Sequence, residues 1–460
     1  MIEIIKVMLA VLCAGIPFFV GQRMGLVRFA SPMHIVAYLA FLGFTVKSIV
    51  YAFAPELAFY SNFFVSDADV GWGYFYLTAF IIAMCLGYVA FANGQRDVEK
   101  LDAAALTSRV RSPTLVFAMG VLAAIGTTYL YFSLRDISDL DAASSLDTLR
   151  QLNAGKVAAI QGRQDFGNSF AIIKLLYVIP ATAFALLLFR YMQFRDKRSL
   201  AYILVLAGVL ILAAIIKGNR RDLLDMMLIA LGVISLSGTK VIRKAVVAGI
   251  FATPLILITF SFMSNLRDRD VNLEQDGLVS VESLRPIVSS TYFLDINIPL
   301  LIRAYTREDQ MLNGKSYLNW TYAWIPRALW PDKPAVDIGP YIKQNILGFR
   351  GSGGFNATAA GEAFLNFGWF GIIVGALLGL MLRKIEESVL SHRWFGGGIG
   401  GLFYVVAFLA GLQGLLQSSF SGSIVAMAAQ IAVIWLCSLI VLKPLSKSNR
   451  PIEAACRGLM

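Results

Sequence analysis

Runs of roughly twenty mostly apolar residues, the length a helix needs to cross a bilayer, recur from one end of this 460-residue chain to the other. That pattern leaves few folds open. Backbone in hydrocarbon must satisfy its own N–H and C=O groups, so it crosses as a helix or as part of a closed barrel, and runs of this length read as helices. Hydrophobic residues make up 57% and charged residues 15%, with a mean hydropathy of +0.68, values that exclude an ordinary soluble enzyme. The runs predict about eleven spans, at 4–22, 33–54, 72–91, 113–132, 169–192, 200–216, 223–236, 241–263, 361–382, 397–416 and 422–442. Residues 1–460 read as a single all-α polytopic membrane domain without a visible internal repeat, which disfavours a secondary transporter. The first run lacks a cleavage pattern and is expected to be a span rather than a removable signal.

The net charge of +11 does not point to nucleic acid. Much of it sits in short loops after alternate spans, at Arg23 and Arg28, at Arg96, Lys100, Arg109 and Arg111, at Arg195, Lys197 and Arg198, and at Lys443, Lys447 and Arg450. The positive-inside rule then places the N-terminus outside and the C-terminus in the cytoplasm. Cys13, Cys85 and Cys437 fall within apolar runs and Cys456 in the tail, so no disulfide framework or metal knuckle is indicated.

One connection is long. Residues 264–360, between the eighth and ninth spans, are expected to form an extracytoplasmic loop with short or interfacial helices. Its segment 286–305 is apolar with a break at Pro299, too short to span, and is expected to lie along the interface or dip in. Trp320, Trp324 and Trp330 follow, readable as an aromatic belt or as a sugar-stacking surface. The two histidines, His34 and His392, both map to the cytoplasmic side. A base on the outer face is therefore expected to be Asp, Glu or Lys, and the reading calls for no metal and no cofactor.

Candidate groups follow from chemistry. Arg327, framed by Pro326 and by Trp330-Pro331, suits bidentate phosphate binding, with Lys333 beside it and Asp332 as a second carboxylate. Gly351, Gly353 and Gly354 allow close backbone approach, and Asn356 to Glu362 opens the ninth span, where a helix N-terminus can hold an anion. Glu362 is either a dipole-complementing carboxylate or a base with a raised pKa. The short outer run Lys217-Gly218-Asn219-Arg220-Arg221 breaks the orientation rule. Arg221 can pair with Asp225 four residues on, while Arg220 has no such local partner. Arg267 and Arg350 are further cations of the long loop. Lys47 and Lys174, in the outer halves of the second and fifth spans, either snorkel to the interface or attract a phosphate.

The run Ile325-Pro326-Arg327-Ala328-Leu329-Trp330-Pro331-Asp332-Lys333-Pro334, with Gly361-Glu362-Ala363-Phe364-Leu365-Asn366-Phe367-Gly368, resembles the bacterial oligosaccharide repeat-unit polymerases, the Wzy-type O-antigen polymerases. Gly218-Asn219-Arg220 is similar to the Gly-x-Arg at an outer helix end of O-antigen polymerases and ligases. The resemblance implies a GT-C-like membrane glycosyltransferase that joins undecaprenyl-pyrophosphate-linked repeat units at the periplasmic face, working with a chain-length-determining co-polymerase and no nucleic acid. It implies that Arg220 and Arg327, with Lys217, Arg221, Arg267, Lys333, Arg350 and Asn356 around them, hold the pyrophosphate, and that Glu362 or Asp332 serves the acceptor. An O-antigen ligase is the nearest alternative, disfavoured by a long loop without histidine. A lipid-linked oligosaccharide flippase or exporter is the other, disfavoured by the scarcity of charge at mid-bilayer.

Overall fold

The computed structural model describes residues 2–90, 92, 103–133, 175–217, 220–238, 294–325, 329–330, 332–350, 354–391 and 398–443. These are helical almost throughout. The helices are α1 (Ile2–Met24), α2 (Pro32–Phe53), α3 (Asp67–Ala90), α4 (Pro113–Ser133), α5 (Val178–Phe194), α6 (Lys197–Lys217) and α7 (Arg220–Ser237). The connection carries α8 (Asn297–Tyr305), α9 (Lys315–Leu318) and α10 (Trp320–Ala323). Then come α11 (Thr358–Phe367), α12 (Gly371–Leu390), α13 (Ile399–Gln417) and α14 (Phe420–Val441).

Eight of these, with α11 and α12 counted as one, are long and apolar enough to cross a membrane. They coincide with eight of the expected spans. The expected fifth span is α5, a shorter apolar helix. The seventh is α7, helical over its expected length but outside the eight, because Arg220, Arg221, Asp222 and Asp225 crowd its first turns. The eighth, at 241–263, lies outside the described residues, as does Lys174.

The bundle packs through small residues. Gly371, Gly375 and Gly379 recur every four residues on α12 and face α3: a Cβ on Gly375 would come within 2.6 Å of the Phe80 carbonyl oxygen, and one on Gly379 would collide with that of Met84. Gly87 of α3 returns the contact against Ala376. Such a stripe lets two backbones approach closely where no hydrophobic force draws helices together in lipid.

At one end of the bundle, the loop end, the connection folds back inside. Ile296, Ile298, Leu300, Leu301 and Ile302 are fully buried, so this part of the connection dips into the protein instead of lying on the interface. It docks where α2 widens into a π-turn over Phe41–Thr45: a Cβ on Gly43 would come within 2.7 Å of the Leu294 backbone. Beside that bulge Lys47 donates to Asp295 Oδ1 at 2.8 Å. Lys47 is 2% and Asp295 0% exposed, so Lys47 neither snorkels nor waits for a phosphate, and both sequence expectations are corrected. Asn297 Nδ2 bonds the same Asp295 oxygen at 2.9 Å and the Tyr51 hydroxyl at 3.0 Å, while the Asn297 amide donates to Asp295 Oδ2 at 3.1 Å.

The opposite end holds a second buried ionic group. Tyr88 donates to Glu386, Arg383 Nη1 donates to the Met24 carbonyl at 2.6 Å, and Arg383 Nε to Glu387 at 2.7 Å. Tyr404 donates to the Ala30 carbonyl at 2.7 Å. His34 is buried at this end against Ser31 Oγ at 2.7 Å, and His392 lies outside the described residues.

Removing one partner of a buried ion pair leaves the other charge uncompensated, at a cost of about 3–5 kcal/mol, whereas replacing both by apolar residues costs far less. Lys47→Met is therefore expected to lower thermal stability in detergent sharply. Lys47→Met with Asp295→Leu should recover most of the loss, and a double variant no more stable than the single one would show that the pair does not seat this segment.

Candidate functional site

Glu362 lies in the second turn of α11, 1% exposed. Burial of a carboxylate requires donors for its oxygens, and the fold brings two from distant segments. Ser316 Oγ, in α9, donates to Oε1 at 2.7 Å. The Phe420 backbone N–H, the first of α14, donates to Oε2 at 2.7 Å. A carboxylate at the start of that long helix also meets the positive end of its dipole.

Asn366, one turn further on, completes the arrangement. Its Nδ2 donates to Ser316 Oγ at 2.7 Å and to the Glu362 carbonyl at 2.8 Å, and its Oδ1 accepts the Gly314 N–H at 2.9 Å. Ser421 Oγ donates to the Ser316 carbonyl at 2.5 Å. Tyr317 stands beside this group, stacked on Phe367 at 6.1 Å and edge-on to Phe420 at 5.2 Å. Its buried hydroxyl has no hydrogen-bond partner among the described residues. Burial, with the Glu362 carboxylate nearby, holds that phenol well above its ordinary range.

The approach to α11 is tightly built. Gly361 has no side chain because Pro299 and Ile302 of the buried α8 fill the space: a Cβ there would meet Ile302 Cδ1 at 2.8 Å. In the glycine-rich entry Gly354 serves a backbone crossing, and Gly351 and Gly353 lie outside the described residues. A Cβ on Gly354 would collide with Gly339, and Phe355 N–H donates to the Gly339 carbonyl at 3.2 Å. Thr358, buried at the head of α11, has φ +59°, a strained position for a β-branched residue, and its Oγ1 accepts the Gly361 N–H at 3.3 Å. Gly368, at φ +55°, ends α11 and turns the chain into α12.

The remaining predicted residues distribute unevenly. Arg221 pairs with Asp225 at 3.7 Å as the spacing predicts. It also reaches α13, where its guanidinium lies 3.5 Å from the Ala410 carbonyl and fills the space a Cβ on Gly414 would need. α13 runs from there to the α13–α14 corner that Glu362 holds, so Arg221 and Glu362 belong to the same end of the bundle. Arg220 opens α7, but its side chain and that of Lys217 lie outside the described residues, as do Arg327 and Arg267. Lys333 is not a bare point charge: its ammonium donates to the carbonyls of Ala323 at 3.1 Å and Ile325 at 2.7 Å, capping the end of α10. Asp332 and Arg350 are exposed, and Asn356 is half-buried. Among the described residues no group of three or more His, Cys, Asp or Glu side chains comes together.

Compared with family models, with curated proteins and with solved structures, the chain matches none. Ser316 and Tyr317 carry no sequence signal, and Asn366 carries one only as part of the segment Gly361 to Gly368. Spacing of four on one helix face, Glu362 with Asn366, was the legible hint.

Glu362→Ala strips two buried donors of their acceptor, at about 1–3 kcal/mol for each group left unpaired. Ser316→Ala is expected to cost less, because the Phe420 N–H keeps its partner. Unfolding midpoints in matched detergent should rank wild type, Ser316→Ala and Glu362→Ala in falling order. Equal stability of all three would mean that the carboxylate does not hold these segments.

Proposed function

We propose that this protein is a membrane glycosyltransferase that polymerises oligosaccharide repeat units carried on undecaprenyl pyrophosphate, acting at the loop end of the bundle. One observation carries the reading. The two longer segments on which the resemblance to Wzy-type polymerases rests, 325–334 and 361–368, are each tied, at the described residues, to the stretch that carries α9 and α10. Lys333 closes α10 through the Ala323 and Ile325 carbonyls, and Ser316 of the adjoining α9 is held by Glu362 and Asn366. Segments brought together in this way can act on one substrate.

In this reading Arg220 and Arg327 take the pyrophosphate, which gains charge as the anomeric bond breaks, and fixed cations stabilise that charge. A carboxylate takes the proton of the acceptor hydroxyl. Glu362 already accepts two hydrogen bonds, so it serves as base once Ser316 yields its place to the acceptor hydroxyl. Asp332, exposed beside Lys333, is the alternative base. The lipid tail remains in the bilayer beside the spans. The N-terminus and the long connection would face the periplasm of the inner membrane, with a chain-length-determining co-polymerase as partner. The ligase alternative uses the same chemistry and is disfavoured by the lack of histidine in residues 264–360, while a flippase calls for no base.

Arg327→Ala is expected to leave the protein in the membrane while polymer formation from lipid-linked repeats falls by roughly 10²–10³-fold, giving single-repeat glycans on gels. Arg220→Ala should do the same. Full-length ladders from either variant would remove that arginine from the mechanism. Asp332→Asn and Glu362→Gln, assayed side by side, then identify the base by which one loses the ladder while retaining folded protein.

A further inference from the structure

A band of large side chains stands exposed along α9, α10 and the chain beyond them. Trp324 is 53%, Leu329 79% and Trp330 38% exposed, with Leu318, Trp320 and Ile325 beside them. Surfaces of this kind are not left to water without reason. The band is held firmly: Tyr322 packs edge-on against Trp330 at 5.7 Å, and the Lys333 bonds to the carbonyls of Ala323 and Ile325 fix the chain on either side.

Its place in the fold says what covers it. α9 and α10 lie against the first turns of α14, tied there by Ser421 to Ser316 and by Tyr317 to Phe420. α14 is a candidate membrane span whose outward face stays exposed and apolar down to Trp435, Leu436, Leu439 and Ile440. The aromatic band therefore continues that face at the loop end. A second aromatic group stands at the loop end of two other spans: Trp72 at the head of α3 and Trp369 at the head of α12 meet edge-on at 5.6 Å, both exposed. Tryptophan and tyrosine collect at the headgroup level because their rings are apolar and their N–H or O–H is not.

We propose that the Trp320–Trp330 face is a lipid-binding surface, seated in the headgroup layer of the leaflet at the loop end, so that the short helices of the connection rest on the membrane instead of standing free in solvent. This inference needs only the membrane placement of α14 and stands whether or not the polymerase reading does. The occupant is the phospholipid surface. Were the rings a seat for a glycan or a partner protein instead, they would stand in water in lipid nanodiscs, which is the outcome that refutes the proposal.

An element seated in the interface lies about 5–10 Å into the headgroup and acyl boundary, within reach of a bromine carried high on the acyl chain. The test uses the full chain in nanodiscs of phosphatidylcholine and phosphatidylglycerol, retaining Trp324 with the other six of its seven tryptophans replaced by Phe. Emission is expected to be blue-shifted and to fall by roughly half when the lipid is brominated near the headgroup end of its acyl chains. Unchanged emission with a water-exposed maximum overturns the proposal. If that variant does not fold, the wild-type chain labelled with 5-fluorotryptophan gives the same answer, the Trp324 resonance being identified by its loss in Trp324→Phe. Broadening by a lipid spin label, with protection from a soluble gadolinium chelate, supports the seat. Broadening by the chelate and not by the lipid label refutes it.

Discussion

The Glu362 carboxylate is buried where water cannot serve it, and its two donors come from residues 46 and 58 positions away in the chain. That constraint organises the loop end. α11 cannot bury this side chain unless α9 comes to it and α14 begins beside it. Because Ser316 also takes the Asn366 amide and receives the bond from Ser421 through its carbonyl, the connection is fixed to two helices through a single residue. A polar network of this kind in a low-dielectric interior is stabilising only when every member is satisfied. Here the carboxylate oxygens, the amide and the serine hydroxyl all are, and the Tyr317 hydroxyl is the exception.

The same logic repeats at two other levels of the bundle. Lys47 and Asp295 neutralise each other beside the π-turn of α2, and Arg383 and Glu386 do so at the far end with Tyr88 and Tyr404 closing the group. Neither pair makes the protein stable merely by existing, since desolvation offsets most of the attraction. The Lys47 pair lies where the buried segment 294–302 is seated, with Leu294 against Gly43 and Ile302 against Gly361. The position of Glu362 is thus coupled to an ion pair elsewhere in the bundle, through α8, which packs against α3 and α11 and bonds Tyr51 of α2 through Asn297.

Much of the architecture is legible in the chain because hydrophobic length alone decides it. Spans such as α1, α3 and α14 need no partner to be recognised, and their boundaries agree with the expected ones within a few residues. α7 is less plain, since polar residues at its head shorten its apolar run. Local pairs are legible too: Arg221 and Asp225 lie four apart, and helix geometry brings them together without help from the rest of the fold. The stripe Gly371, Gly375 and Gly379 stands in the sequence at the right spacing, yet nothing there says that it meets Phe80 and Met84. Gly354 allows the close backbone approach its residue type suggests, and the backbone it admits is that of Gly339.

What the sequence by itself determined is the solvent. The lengths of its apolar runs commit the chain to helices long and apolar enough to cross a membrane, and its loop charges and aromatic residues mark where those runs end. What only the tertiary structure decided is the pairing of the buried polar groups. Lys47 finds Asp295 across 248 positions, and Ser316 finds Glu362. Partners so far apart obey no spacing rule. In hydrocarbon each polar group must nonetheless end beside some donor or acceptor, and packing selects which one.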